Sequence, residues 1–366
     1  MSAARALQLC PNDHPPFLDL CRSHASALER AGLDVDTVFF GAPRGERLQG
    51  ATYLAVERGT RHMIDALRGH CAGQRYALVV AHRYRAYQVS TRALRRGDAT
   101  LLVTVAHEFG MFARARRRWR RRLLARDGWF AGVSQAVVDE LRRHDASLTR
   151  TLVLPNPADI DRLDATRLPR ATAREQLAIP QSVHAVGMIG RLHPEKRPSL
   201  ALEAFAAAHG LPDDAWLVLI GDGALRASLE SSARSLGIGS RVRFTGYVPD
   251  AARYLNAFDT LLFASGATEA FGMTLLEAMV AGVPVVCADM PGPRSVLGPQ
   301  GCYFSGDDPP QLTAALERVV ETPDAARTQL CAAQRARAER RFSVAAVAGI
   351  YRNLLSTDAP RRRDGS

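Results

Sequence analysis

Short apolar runs with the composition of β-strands alternate with helical segments along the whole chain, and this alternation limits the fold more than any other feature of the sequence. Strands that alternate with helices are typical of a doubly wound α/β protein, in which helices cover both faces of a largely parallel sheet. We therefore predict that architecture. The predicted strands cover residues 6–10, 35–40, 77–81, 100–106, 129–133 and 151–154 in the first half, and 185–189, 216–220, 242–245, 260–264, 283–287 and 302–304 in the second.

The length of 366 residues suits two domains better than one hydrophobic core. A content of 47% hydrophobic residues excludes a disordered chain. The segment 154–160, Leu-Pro-Asn-Pro-Ala-Asp-Ile, precedes a polar, charge-rich stretch and marks the joint between the domains. We predict a first domain over 1–160, a second over 161–342, a C-terminal helix over 343–357 and a disordered tail over 358–366.

The segment 264–286 carries the most informative motif of the chain. A short apolar strand leads into a loop, Gly272 frees the backbone there, and a helical stretch follows. A helix that begins in this way points unpaired backbone N–H groups at the region above the strand end. Such a helix start favours a diphosphate, so we predict that Gly272, Met273 and Thr274 contribute to a nucleotide-binding site.

Two carboxylates flank the start of this helix. Glu277 is the only charge of the helix, and its position one turn in would let it accept hydrogen bonds from both hydroxyls of a ribose. Glu269 lies in the preceding loop, where it would hold hydroxyls of a sugar beyond the phosphates. The alternative for Glu277 is a solvated position on the outside of a helix. Together the two positions predict a nucleotide-sugar site.

A second motif contains the only lysine among the 48 basic residues of the chain. Lys196 ends the segment Gly-Arg-Leu-His-Pro-Glu-Lys over 190–196, which joins a predicted strand to a helical segment. Arg191 and Lys196 bring two cations to one loop, and a leaving diphosphate needs them because its charge grows as the glycosidic bond breaks. A surface loop with ordinary charges is the alternative.

The spacing of Glu269 and Glu277 resembles the E-x7-E signature of family 4 glycosyltransferases, and residues 190–196 match the G-R-x3-E-K pattern of the same family. These are retaining enzymes, and the chain resembles the bacterial members that build lipopolysaccharide and other envelope glycans. The resemblance implies the GT-B fold, with two Rossmann-like domains facing a cleft and a C-terminal helix crossing back to the first domain. It implies that Glu277 binds the ribose and Glu269 the donor sugar. Arg191 and Lys196 would hold the diphosphate.

Two features depart from the family pattern. The family carries a glycine-rich loop after the first strand, whereas residues 10–16 of this chain contain no glycine. This difference limits how closely the backbone there can approach the donor. The family's glycine after Pro-Asn is Pro157 here, so a stiffer joint between the domains is expected.

His107 follows the predicted strand 100–106, and the matching family position lies near the donor sugar at the reaction centre. We predict that His107 and Glu269 are the catalytic residues. The alternatives are a histidine that bonds within its own loop and a functional role for the neighbouring Glu108. His82 closes the preceding strand and is a candidate for acceptor binding.

The positive charge of the chain is concentrated in one segment. Residues 83–126 contain thirteen arginines and two acidic residues, while the rest of the chain holds 35 basic and 35 acidic side chains. The run 114–126 is predicted to form a helix with apolar residues among its charges, a composition that suits an anionic membrane surface. The alternatives are nucleic acid, for which no motif is present, and a solvated helix. The residues predicted to bind the membrane or the acceptor are Arg117, Arg118, Trp119, Arg121 and Arg122.

We therefore predict a retaining glycosyltransferase that moves a sugar from a nucleoside diphosphate sugar to an envelope glycan or a lipid-linked acceptor. No cofactor, no metal and no nucleic-acid partner are expected, and the D-x-D patterns at 34–36 and 159–161 flank a strand and the joint. No apolar run approaches the roughly 20 residues of a membrane span, so a cytoplasmic protein at the inner face of the membrane is expected. An epimerase or phosphorylase of the same fold, and a non-enzymatic arginine-rich nucleic-acid-binding protein, are the alternatives.

Overall fold

The chain divides into two compact units. A computed structural model describes residues 3–15, 17–45, 47–56, 59–95, 97–124 and 128–357. One unit comprises the residues up to Ala158 together with those from Arg341 onward, and the other comprises Asp159–Arg340. We predicted the boundary between the domains after residue 160, and the chain passes from the first unit to the second after Ala158. The predicted tail over 358–366 and the end of the predicted basic helix at 125–126 lie outside the described residues.

The described part of the first unit contains one parallel sheet of seven strands. The strands are β1 (Ala4–Cys10), β2 (Leu33–Phe39), β3 (Thr52–Tyr53), β4 (Tyr76–His82), β5 (Ala99–Ala106), β6 (Trp129–Gly132) and β7 (Thr151–Val153). Their order across the sheet is β3-β2-β1-β4-β5-β6-β7. The order therefore reverses between β1 and β4.

The second unit contains a parallel sheet of six strands. The strands are β8 (Ala185–Ile189), β9 (Trp216–Ile220), β10 (Val242–Gly246), β11 (Thr260–Phe263), β12 (Val285–Ala288) and β13 (Cys302–Phe304). Their order is β10-β9-β8-β11-β12-β13, so the reversal lies between β8 and β11.

Helices connect the strands in both units. The α-helices are α1 (Phe17–Arg30), α2 (Thr60–His70), α3 (Arg83–Ala93), α4 (Ala115–Leu124), α5 (Gln135–His144), α6 (Ile160–Thr166), α7 (Arg170–Leu177), α8 (Pro198–Ala207), α9 (Arg226–Ser235), α10 (Met273–Ala281), α11 (Pro291–Leu297), α12 (Pro309–Glu321), α13 (Asp324–Phe342) and α14 (Val344–Thr357). Short 3-10 helices cover Pro194–Lys196, Gly239–Arg241 and Ala251–Ala257. This alternation confirms the predicted α/β class.

Burial explains why the strands could be found from sequence. All four residues of β11 and of β12 are buried, as expected for parallel strands that helices cover on both faces. Such strands appear in the sequence as continuous apolar runs, and every predicted strand matches an observed one to within two residues at each end. The exception is β3, which was missed because two residues at the edge of a sheet form no recognisable run.

The C-terminal helix α14 belongs to the first unit. Ala158 N donates to Phe342 O at 2.7 Å, and Val344 N donates to Ala158 O at 3.2 Å, so the chain that precedes α14 pairs with the end of the first segment. The helix then packs against α1, where Tyr351 Oη lies 2.9 Å from His24 Nδ1. Both side chains are fully buried.

Candidate functional site

The second unit places both predicted motifs at neighbouring strand ends. β8 and β11 pair with each other, and the strand order reverses between them. In open parallel sheets, ligands bind beyond the carboxyl ends of the strands at such a reversal. The loop 190–197 follows β8 and the loop 264–272 follows β11, so the two motifs share this edge of the sheet.

Backbone contacts fix the loop that follows β8. Gly190 N donates to Ile220 O and Leu192 N donates to Asp222 O, each at 2.9 Å. A Cβ atom at Gly221 would lie 1.9 Å from Gly190 O, so this approach requires glycine. Gly221 therefore allows the loops after β8 and β9 to pack backbone against backbone.

Arg197 connects the loop after β8 to the loop after β11. The short helix that precedes it ends at Arg197, whose backbone is left-handed with a φ of 53°. The guanidinium donates through Nε to Ala264 O at 2.5 Å and through Nη2 to Ser265 O at 3.2 Å. Gly266 N in turn donates to Glu195 O at 2.8 Å. These bonds hold the two loops in one position relative to each other.

Lys196 and Glu269 meet where these loops adjoin. Lys196 Nζ lies 2.6 Å from Glu269 Oε2, and the two side chains are 27% and 17% exposed. The ammonium also lies 5.9 Å from the centre of the Phe263 ring. An ammonium has three N–H donors and the carboxylate takes one, so Lys196 can bind an anion while it stays paired with Glu269. The only lysine of the chain and one predicted carboxylate thus belong to one site.

The start of α10 is the third part of the site. Gly272 precedes the helix with a φ of 102°, and no side chain caps the first turn. The backbone N–H groups from Met273 onward can therefore bind an anion. Thr274 and Glu277 share the half-buried face of α10, which residues 273, 274, 277 and 281 form, whereas the other positions of the helix are buried.

Arg191 is the most exposed of the predicted phosphate ligands. Its side chain is 73% exposed, and its Nη2 lies 3.8 Å from Glu195 Oε2. An exposed ion pair of this kind contributes little to stability, so Arg191 can exchange Glu195 for a ligand at small cost. The structure brings Lys196, Glu269 and the start of α10 together, while Arg191 extends into solvent.

A chain of hydrogen bonds runs through the predicted histidines of the first unit. Gln8 Nε2 lies 3.1 Å from His82 Nε2, and His82 Nδ1 lies 2.8 Å from His107 Nε2. His107 Nδ1 lies 3.1 Å from Asn156 Oδ1. Since an amide nitrogen only donates, the partners assign the tautomers: His82 accepts from Gln8 and donates to His107, which donates to Asn156. Both ring nitrogens of His107 are therefore engaged.

His24 completes this group of histidines. Its Nδ1 contacts Tyr351, whereas its buried Nε2 has no hydrogen-bond partner among the described residues. One nitrogen each of His24, His82 and His107 lies within 4.8 Å of the others. Burial lowers the pKa of His24 to about 3. Burial, and then the charge of neighbouring groups, holds the pKa of His82 and of His107 well below its usual value. All three rings are therefore neutral at pH 7.

This arrangement bears on the predicted catalytic role of His107. His107 lines a cavity of about 420 Å³ in the first unit, and the exposed Glu108 lines the same cavity. A contact between His107 and a sugar hydroxyl would require the exchange of a bond to His82 or Asn156. The alternative of a histidine that bonds within its own loop is wrong, because His82 and Asn156 both lie outside that loop. The catalytic role of His107 stays a prediction.

One carboxylate of each D-x-D pattern has a partner within the protein. Asp36 Oδ2 lies 2.8 Å from both His70 Nε2 and Tyr76 Oη. Asp159 caps the start of α6.

The chain of hydrogen bonds through the histidines uses nitrogen atoms that a metal would need as ligands. That the protein requires no metal or cofactor stays a prediction.

The predicted basic helix is α4, and its four predicted arginines bind groups of the first unit. Arg117 and Arg118 donate to backbone carbonyls of the preceding loop. Arg121 Nε lies 2.7 Å from the buried carboxylate of Asp145, and Arg122 Nη2 lies 3.5 Å from the same group. These contacts hold the helix in place. They show that the basic run is not simply a set of solvated charges.

Two large apolar side chains of α4 face solvent. Trp119 is 61% exposed and Leu123 is 63% exposed. The residues are one turn apart and lie on the same side of the helix. A membrane or an acceptor as the partner of this helix stays a prediction.

The partners of the three buried histidines could not be found from the sequence alone. Gln8 lies in the first strand, His24 in the first helix and Tyr351 in the last helix, so no spacing along the chain connects them. A signal was present for Asn156, whose Pro-Asn pair matches the family pattern. No local pattern pairs that residue with a histidine 49 positions away.

The match to a family model lies within the second unit. The family described as Glycosyl transferases group 1 matches residues 169–340, which include both motifs of this unit. Residues 169–340 thus match the model of a glycosyltransferase family, and the resemblance noted in the sequence is confirmed.

Two curated relatives match part of the chain. The D-inositol 3-phosphate glycosyltransferase of Geodermatophilus obscurus is 32% identical over 274 residues, which cover 67% of this chain and 59% of that protein. The lipopolysaccharide core biosynthesis glycosyltransferase LpsE of Rhizobium meliloti is 30% identical over 189 residues, which cover 51% of this chain and 54% of that protein. The chain spans about half the length of the curated relatives it matches.

The crystal structure of Anabaena Alr3699/HepE in complex with UDP is similar to nearly the whole chain. The TM-score is 0.80 at 21% identity, and the match covers 96% of this chain and 100% of that chain. The similarity shows the fold, which is GT-B with two Rossmann-like units, as the resemblance implied. Among the described residues, every helix is too short or too polar to cross a membrane.

The buried histidines predict a pH dependence of stability. A histidine that is neutral in the folded protein takes up a proton on unfolding below its ordinary pKa of 6.5. Its contribution to stability is complete above pH 6.5 and is lost as the pH falls from 6.5 towards 3. Between pH 7.5 and pH 5.5, each such histidine lowers the free energy of unfolding by roughly 1.4 kcal/mol.

Urea unfolding of His24→Gln at these two pH values checks this expectation. Trp129 reports on the first unit if Trp119 and Trp216 are replaced by phenylalanine in all variants. His24→Gln should lose roughly 1.4 kcal/mol less than the parent between the two pH values. His62→Gln, at an exposed position of α2, is the control and should behave as the parent. Equal losses in the parent and in His24→Gln would contradict the neutral burial of His24.

Proposed function

We propose that this chain, whose residues 169–340 match the group 1 glycosyltransferase family, is a retaining glycosyltransferase that uses a nucleoside diphosphate sugar. The observation that carries the proposal is the meeting of Lys196, Glu269 and the uncapped start of α10 beside the strand reversal. A cation and backbone N–H groups suit a diphosphate, and a carboxylate suits sugar hydroxyls. The UDP complex of the similar Anabaena structure supports the same class of donor.

Each part of the site would bind one part of the donor. Lys196 and the first N–H groups of α10 neutralise the diphosphate, and Arg191 joins them from solvent. Glu269, whose side chain is mostly buried, accepts hydrogen bonds from the sugar hydroxyls. Glu277 accepts them from the ribose hydroxyls on the half-buried face of α10.

The reaction exchanges one bond at the anomeric carbon. The bond from that carbon to the phosphate oxygen breaks, and a bond to the acceptor oxygen forms on the same face, so the configuration is retained. The proton of the acceptor hydroxyl passes to an oxygen of the departing diphosphate. Positive charge develops on the sugar ring and negative charge on the diphosphate. Lys196 and the helix start lower the barrier because they stabilise that growing negative charge.

The pairing of Lys196 with Glu269 supports this role. The bond positions the ammonium before a donor arrives, so little reorganisation is needed when charge develops. A guanidinium at the same position would be broader and would place its donors differently, which makes arginine a poor substitute. In a chain with arginine at nearly every cationic position, a single lysine at this site fits such a requirement.

We assign the acceptor to the first unit and propose an envelope glycan or a lipid-linked molecule. The cavity that His107 and Glu108 line offers room for one sugar unit. Similarity to LpsE of Rhizobium meliloti, a lipopolysaccharide core biosynthesis glycosyltransferase, supports an envelope acceptor. A lipid-linked acceptor requires contact with a membrane, and the exposed pair Trp119 and Leu123 beside arginines suits the inner, anionic face of the cytoplasmic membrane.

Three variants separate the roles in the donor site. Lys196→Ala should reduce turnover by roughly 10²-fold or more, because a charge-assisted contact to a developing anion is lost. Glu277→Ala should weaken binding of both the free nucleoside diphosphate and the intact donor, as loss of a ribose contact would. Glu269→Ala should weaken mainly the intact donor, because the free diphosphate carries no sugar. Calorimetry with both ligands, together with turnover measurements, checks these expectations.

The half-buried ion pair between Arg226 and Glu230 of α9 provides matched controls for these variants. Arg226→Ala and Glu230→Ala each remove one charge from the second unit and should leave turnover and both affinities unchanged. Lys196→Arg should be impaired although the charge is kept. Unchanged turnover in Lys196→Ala would refute the phosphate role, and equal losses of diphosphate affinity in Glu269→Ala and Glu277→Ala would refute the assignment of the carboxylates.

The double variant Trp119→Gln, Leu123→Gln tests the membrane contact. The wild type should sediment with anionic vesicles and not with neutral ones, and salt should release it because exposed charges are screened beyond roughly 8 to 10 Å at physiological ionic strength. The double variant should lose most of this binding but keep its affinity for the donor. The four arginines predicted from sequence are poor targets, because replacing Arg121 would leave the buried carboxylate of Asp145 short of a partner.

The second unit offers a matched apolar control. Leu236 and Tyr247 are 41% and 69% exposed, and the variant Leu236→Gln, Tyr247→Gln should sediment as the wild type does. An equal concentration of nucleic acid in the same experiment tests the rival partner. Preference for nucleic acid, or no vesicle binding by the wild type at low salt, would contradict the membrane proposal.

A further inference from the structure

The cavity of the first unit is lined by many more cations than acids. Its volume is about 420 Å³, and Glu108 is its only carboxylate among the described residues. Six arginines line it, namely Arg83, Arg85, Arg114, Arg116, Arg117 and Arg120. Like charges at this density repel one another, and an anion bound among them would reduce this repulsion.

Most of these arginines have no side-chain partner within the described part of the protein. Among the described residues, the side chains of Arg85, Arg114, Arg116 and Arg120 make no hydrogen bond or ion pair. Arg117 differs, since it donates to carbonyls of the loop before α4 and lies 4.4 Å from the centre of the Tyr84 ring. Some arginines of the basic segment thus bind groups that hold α4 in place. Others line the cavity with side chains that have no partner in the described protein.

Arg83 lines this cavity with an unfavourable backbone conformation and an unsatisfied side-chain donor. Its φ is 68°, a left-handed conformation that costs energy for a residue with a Cβ atom. Its Nε is buried and has no hydrogen-bond partner among the described residues. The guanidinium lies 4.4 Å from the centre of the Phe17 ring, whose edge contacts are with His82 and His107. Strain and an unsatisfied donor of this kind are characteristic of ligand sites.

We propose that this cavity binds a phosphate or pyrophosphate group carried by the acceptor. A guanidinium donates two parallel hydrogen bonds to phosphate oxygens, and several such groups match a ligand with more than one negative charge better than they match a single carboxylate. The volume suits a phosphorylated sugar, and Asn12 and Gln88 in the same lining suit its hydroxyls. The assignment of this anion to an acceptor rests on the proposed function.

The phosphate has two possible sources, a soluble sugar phosphate and a lipid that carries a phosphate. Both present the same group to the arginines. The cavity lies beside α4, whose exposed apolar pair we assign to the membrane, so one arm of the experiment uses a soluble ligand and the other uses vesicles.

The first arm compares glucose 6-phosphate, myo-inositol phosphate and inorganic pyrophosphate with glucose, myo-inositol and glucuronate by calorimetry on the full chain. At least one phosphorylated ligand should bind the wild type about tenfold or more tightly than its neutral parent and than glucuronate. The variant Arg116→Gln, Arg120→Gln should abolish this difference. The control Arg142→Gln, Arg143→Gln removes two exposed arginines of α5 in the same unit and should keep it.

The second arm measures sedimentation with vesicles that contain phosphatidic acid or phosphatidylserine at equal surface charge. A preference for phosphatidic acid that is lost in Arg116→Gln, Arg120→Gln and kept in the control identifies a lipid-borne phosphate. A preference in the first arm alone identifies a soluble one. Thermal unfolding verifies that each variant is folded, and the exposed or half-buried positions of both arginines favour this.

The two proposals fail in different ways. No preference for phosphate in either arm, or a preference that survives Arg116→Gln, Arg120→Gln, would overturn the inference even if nucleotide sugars bind to the second unit. A preference that depends on these arginines in a protein that binds no nucleotide sugar would support the anion site and overturn the proposed function.

Discussion

The ion pair between Lys196 and Glu269 joins two loops that are far apart in sequence and adjacent at the strand reversal of the second unit. The guanidinium of Arg197 binds the first two carbonyls after β11, and hydrogen bonds to charged groups contribute about 1.5 to 3 kcal/mol each. The loop after β8 is in turn fixed to the loop after β9 by the close approach at Gly221. A cation, a carboxylate and the start of α10 therefore hold fixed positions before any ligand binds. Such preorganisation is what stabilisation of a developing charge requires.

In the first unit, the positive charges come from one basic segment whose arginines have two different roles. The same basic segment supplies arginines that bind carbonyls and the buried Asp145, and others that line a cavity without partners in the described protein. The histidines at the neighbouring strand ends are neutral and joined by hydrogen bonds, so they add no charge to the cavity. Selectivity for an anion would thus come from the arginines, and the histidine chain would set the position of His107.

The sequence predicted the parts of the structure that depend on local patterns. Continuous apolar runs revealed the strands, because the strands of parallel sheets are buried on both faces. The motifs around Lys196 and Glu277 were found because a strand, a loop and a helix follow one another directly in the chain. The contact between Lys196 and Glu269 depends on the register of β8 with β11, and no local pattern contains it. Gln8, His24, His82 and Tyr351, which form the network around His107, come from four separate elements. The division of the arginines into two groups depends on which side of α4 faces the loop. These features are set by tertiary packing, which a single sequence does not display.

Hydrogen exchange with and without a nucleotide tests the central claim most directly, namely that the second unit binds a nucleoside diphosphate at the reversal between β8 and β11. UDP and GDP are compared at concentrations that saturate a thermal shift. Backbone amides of the loop 190–197 and of residues 266–277 should exchange more slowly with at least one nucleotide, while the amides of β10 and α9 should be unaffected. Protection confined to the first unit, or unchanged exchange of both loops at saturation, would contradict the account.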